Sequence, residues 1–98
     1  MAANYAREKF TDGLDILARW PGDIRQGLLD AYQDEVSHAR SDKLVPPAIA
    51  RRIEALHRRM TSVAGKGEEG SIAATVKAMT DAEVVAAVEE IKRIAREL

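Results

Sequence analysis

Val45 to Ala64, VPPAIARRIEALHRRMTSVA, is the stretch that most constrains how this chain can fold. Two prolines open it, and Pro suits a first helical turn, where its missing N–H has no partner to lose and its φ is already set. Ile49, Ile53, Leu56, Met60 and Val63 then follow at spacings of 4, 3, 4 and 3. That is the seam of a helix pressed against other helices. Such a helix needs apolar partners, and the rest of the chain has to supply them.

It does so with further helices. A first helix is predicted from about Asn4 to Arg19, with Ala3, Ala6, Phe10, Leu14 and Leu17 on one stripe and Trp20 at its edge. Tyr5 and Ile16 fall further round, so this helix is expected to touch two neighbours. Gly13 costs it up to about 1 kcal/mol relative to Ala and allows another backbone to come close. Trp20-Pro21-Gly22-Asp23 breaks the pattern, and Asp23 is an N-cap candidate for a second helix reaching about Arg40. Ile24, Leu28, Tyr32 and Ala39 share its inner face, widened by Leu29, Val36 and Ala31. The short connection Lys43–Val45 makes the second and third helices antiparallel neighbours.

The third helix is expected to end near Gly65, a natural left-handed cap residue. Gly65 to Gly70 then holds three glycines in six residues and reads as a mobile connector. Ser71 is read as the cap of a short helix, Ile72 to about Met79. Thr80-Asp81-Ala82-Glu83 is a capping box for the last helix, to about Glu97. Its stripe is Val84, Ala87, Val88, Ile91, Ala95 and Leu98, with Ile94 at the edge and Val85 pointing away. Glu89–Arg93 and Arg93–Glu97 are spaced as solvent-side ion pairs. The fold class expected is all-α, a compact bundle of four main helices plus one short helix, the short one acting as a lid. Residues 1–98 form a single domain. The seams of the third and last helices can close within one chain or between two, so a homodimer stands beside a monomer.

Composition removes several classes. With no cysteine there are no disulfides, thiolate chemistry or Cys-based metal sites. The N-terminus has no long apolar run of the signal-peptide kind, and no stretch approaches the ~20 apolar residues of a membrane span. The expected location is cytoplasmic. No nucleophile has a recognisable triad context, so catalytic residues are assigned to none and an enzyme is not expected. No cofactor is expected either.

Charge carries the functional signal. Lys43 to Lys66 contains six Lys/Arg and one Asp/Glu, whereas the remaining residues contain nine and fifteen. A chain of net charge −1 therefore has a basic centre and acidic flanks. Arg51 and Arg58 lie one heptad apart, far from the apolar seam, and Arg52 and Arg59 form a second line nearer its edge. With Lys66 these are the partner-binding candidates, and a protein partner with an acidic surface is the leading functional reading. A purely structural role, balancing the acidic helices, competes with it. So does nucleic acid, whose phosphates the same ladder can grip, although no aromatic residue lies between the arginines to stack on bases.

Three other patterns invite chemistry. Glu35-Val-Ser-His38 and Glu54-Ala-Leu-His57 are two Glu-x-x-His words of the type that holds metals in helical bundles. Glu54 falls roughly 140° and His57 roughly 80° from the centre of the apolar stripe, which opposes a metal-binding bundle. Glu35 does lie on an apolar face and calls for a partner from another helix. The glycine-rich loop lacks a phosphate-binding word, and Glu68 and Glu69 repel phosphate. Ala74, Ala78 and Val84 have helix-turn-helix spacing, but Thr80, Asp81 and Glu83 then face the DNA backbone.

Overall fold

The structure is a computed structural model that describes residues 4–98; Ala3 of the predicted first stripe lies outside them. Among the described residues the chain is all helical: α1 (Asn4–Ala18), α2 (Ile24–Asp34), a 3₁₀ segment (Val36–Ser41), α3 (Pro47–Met60), α4 (Ser71–Ala78) and α5 (Asp81–Glu97). Four main helices and the short α4 make the bundle.

One cluster forms the core. Phe10, Leu28, Tyr32, Leu56, Met60 and Ile91 are its largest fully buried side chains. α1 packs on α2, on the 3₁₀ segment and on α5, so it meets more than one neighbour, as its broad apolar surface requires. Gly13 is where α1 comes closest: a Cβ there would lie 2.6 Å from the Val36 Cγ2 and 3.7 Å from the Ala31 carbonyl oxygen. The missing side chain is what lets the two segments touch. The seams of α3 and α5 close within the single chain, with Ile53, Leu56 and Met60 on one and Val84, Ala87, Val88 and Ile91 on the other.

Several boundaries differ from the sequence expectation. The second helix does not continue to Arg40. It stops at Asp34, and the backbone tightens into the 3₁₀ segment after Glu35. Consequently α3 packs against the 3₁₀ segment, α4 and α5, and its side-chain link to α2 is Tyr32 to His57. α3 ends at Met60, so Val63 leaves the seam and is 38% exposed. The left-handed residue of the following loop is Gly67, with φ 61°, rather than Gly65. Gly65 is needed for another reason: a Cβ there would collide with the Glu69 carbonyl oxygen at 1.8 Å. The N-cap of α4 is Gly70, and Ser71 is its first helical residue with no capping bond. The short helix α4 rests on α2 and α3. Ile24 was expected inside and is 44% exposed, while Ile94 was expected at the rim and is fully buried.

Polar groups lock the helix ends. Asp23 accepts from the Gln26 N–H at 3.1 Å, and the Thr80/Glu83 capping box is complete, at 3.1 and 2.8 Å. Asp42 acts at a distance, accepting from the Ala6 N–H at 2.9 Å and so capping the first turn of α1 from the far end of the 3₁₀ segment. Arg25 clasps the end of α4: its Nη1 donates to the Val76 and Met79 carbonyls at 2.6 and 2.7 Å, and its Nη2 to Asp81 at 2.7 Å. A cation at a helix C-terminus satisfies free carbonyls and opposes the negative end of the dipole.

Candidate interaction face on the third helix

The arginines of α3 do not act as a block. Arg52 turns toward α5. Its Nε donates to Glu90 at 3.3 Å and its Nη2 at 3.2 Å, and its Nη1 bonds the carboxylate of Glu97. These hydrogen bonds, first to Glu90 and then to Glu97, hold the guanidinium above its already high ordinary pKa. Glu97 therefore serves α3 and does not pair with Arg93 as its spacing predicted; Arg93 meets Glu90 at 3.5 Å and Lys92 meets Glu89 at 3.4 Å.

Arg51, Arg58 and Arg59 are exposed, and none has an ion-pair partner among the described residues. Arg51 and Arg58 are seven residues apart, which is about 10.5 Å along the axis. Between them on the same side lies Ala55, also exposed, with Ala48 one turn before Arg51. Small residues framed by cations let a partner's backbone approach closely while its acids reach the guanidinia. Arg59 sits toward the start of α5, where it makes a small contribution to holding the Glu83 carboxyl below its usual range; the Thr80 hydrogen bonds are the main cause. Lys66 is exposed but belongs to the loop beyond α3, so it extends the helix row by sequence and not by helical register.

The two Glu-x-x-His words are not brought together as a metal site. Glu35 accepts from Lys9 at 3.1 Å, which is the cross-helix partner its position called for. Glu54 takes two hydrogen bonds from Arg40, at 2.9 and 3.2 Å, and these hold its carboxyl below the ordinary range. His57 Nδ1 lies 2.7 Å from the Tyr32 hydroxyl. Burial, then the charge of Arg40, depresses the His57 pKa and so favours the neutral ring beside the Tyr32 hydroxyl. Burial also pushes the Tyr32 hydroxyl well above its usual range. His38 is exposed. Among the described residues no group of three or more His, Cys, Asp or Glu side chains could hold a metal ion.

Sequence reasoning missed a groove of about 620 Å³ where α1, the Trp20-Pro21 turn and α5 meet. Its signal was present: Trp20 and Ile24 flank a Pro-Gly turn, and Lys92 and Arg96 stand four apart on the last helix. No family model, curated protein or solved structure matches the chain. Among the described residues no helix is long and apolar enough to cross a membrane.

Proposed function

We propose that this protein is a small protein-binding module, without chemistry of its own, that engages an acidic partner surface through the outer face of α3. The observation that carries this reading is the division of the arginine ladder. Internal charge balance accounts for Arg52, which is committed to Glu90 and Glu97. It does not account for Arg51, Arg58 and Arg59, which stay exposed around Ala55. Guanidinia in this position suit bidentate pairing with carboxylates, and a partner helix with Asp or Glu two turns apart matches the Arg51–Arg58 repeat. Steering by such a patch acts on association rate as well as affinity.

The test is capture from an extract of the producing cells with the wild-type protein and with the Arg51→Gln/Arg58→Gln/Arg59→Gln variant, followed by mass spectrometry. The expected result is a specific protein, acidic at its contact surface, that the wild type retains and the variant loses with its fold intact. Equal retention by both proteins removes α3 as the site. Recovery of RNA or DNA instead, with binding that weakens steeply as salt rises, replaces the protein partner with nucleic acid.

A further inference from the structure

The groove is a second surface, independent of α3. Leu14, Leu17, Trp20, Ile24, Val88 and Ala95 supply its apolar wall. Trp20 and Ile24 remain 38% and 44% exposed, although both are large and adjacent. Exposed apolar surface gathered in one concavity is the usual mark of a docking site. The wall is held in place. The Trp20 N–H donates to the Leu17 carbonyl at 3.1 Å and the Asp23 N–H to the Trp20 carbonyl at 3.1 Å. Gly27 lies directly beneath: a Cβ there would come within 3.1 Å of the Trp20 Cβ. A rigid wall loses little entropy when a ligand binds.

The charges along the groove are of one sign. Lys92 and Arg96 line it, and among the described residues no acidic side chain does. They are four residues apart on α5, about 6 Å along its axis and on the same side. Arg96 has no ion-pair partner among the described residues; Lys92 reaches Glu89 at a loose 3.4 Å. Two copies of this chain meeting groove to groove would place four cations together, which opposes a symmetric dimer on this face. The wall is built from helices and offers no sheet edge, so an added helix fits where an added strand does not.

From this we infer that the groove docks an amphipathic helix of a partner protein, with apolar residues at i, i+3 or i+4 and i+7 set against Trp20 and Ile24 and carboxylates four residues apart meeting Lys92 and Arg96. The inference does not depend on the role of α3.

Trp20 is the single tryptophan of the chain and reports on the groove directly. The probes are three helical peptides with the same leucine stripe, flanked by a Glu pair, a Gln pair or a Lys pair at four-residue spacing. The Glu peptide is expected to shift Trp20 emission to the blue and to bind at least tenfold more tightly than the Gln peptide. Lys92→Glu/Arg96→Glu should transfer the preference to the Lys peptide, and Ile24→Glu, at an exposed position, should abolish binding by all three. Arg51→Gln/Arg58→Gln/Arg59→Gln should leave the titration unchanged, which keeps this result separate from the one on α3. The inference is overturned by an unmoved Trp20 emission, by equal binding of the Glu and Lys peptides, or by saturation with dodecanoate that excludes the Glu peptide. Concentration-dependent dimerisation that occludes Trp20 overturns it in favour of a second copy.

Discussion

Arg52 and Glu90 are joined by two hydrogen bonds, from Nε at 3.3 Å and Nη2 at 3.2 Å, and this pair ties α3 to α5. It also sorts the basic helix into one arginine that serves the fold and three that face outward. Replacing Arg52 by Gln is expected to lower stability by about 0.5–1 kcal/mol, the range for a partly exposed but multiply bonded pair. Arg51→Gln and Arg58→Gln should stay within about 0.5 kcal/mol of wild type. Urea midpoints of the three single variants check the sorting, and equal losses at all three positions would contradict it.

Gly13→Ala sets helix propensity against packing. Alanine favours the helix by up to about 1 kcal/mol. Its methyl would sit 2.6 Å from the Cγ2 of Val36, itself fully enclosed in the core. Packing is expected to win, with a net loss of about 1–2 kcal/mol. Gly22→Ala meets nothing within 4 Å, and should change stability by less than about 0.5 kcal/mol. Thermal unfolding of the two variants measures the contrast.

The burial of His57 beside Arg40 makes stability depend on pH near neutrality. The folded His57 pKa lies below its ordinary value, so the folded state binds fewer protons than the unfolded one. The contribution is complete above the unfolded value of about 6.5 and is lost as pH falls from there toward the folded value. Chemical unfolding between pH 7.5 and 5.5 should show declining stability in the wild type and a flatter profile in His57→Gln. Parallel profiles would show that His57 is not the titrating group. Below that window Glu54 adds a second loss, because Arg40 lowers its carboxyl pKa in the folded protein.

Asp42→Ala is expected to cost about 1 kcal/mol by freeing the Ala6 N–H, as removal of an N-cap does. Thr80→Ala should cost a similar amount at the start of α5. Amide exchange separates the two, with protection falling at the first turn of α1 for one and of α5 for the other.

Much of this fold was written in local pattern. The α5 stripe, the Asp23 and Thr80 caps and the proline start of α3 each depend on a few adjacent residues, and each was readable. The break after Asp34 was not. The apolar spacing of Leu28, Tyr32, Val36 and Ala39 suits a continuous helix, and the tertiary neighbours of the segment, α1 at Gly13 and α3, are not visible in local pattern. The arginine face was legible as a set, because charge segregation needs no coordinates. Its division was not, because the Glu90 that claims Arg52 is 38 residues away in sequence. The groove was hidden for a related reason: Trp20 and Arg96 share a wall only after α5 has folded back on α1.

The most direct measurement of the central claim is a map of the contact surface. The captured partner, added to the isotope-labelled protein, should shift the backbone amides of Ala48, Arg51, Ala55, Arg58 and Arg59 and leave the interior of α1 unmoved. A footprint absent from α3, or unchanged in the Arg51→Gln/Arg58→Gln/Arg59→Gln variant, would contradict the account.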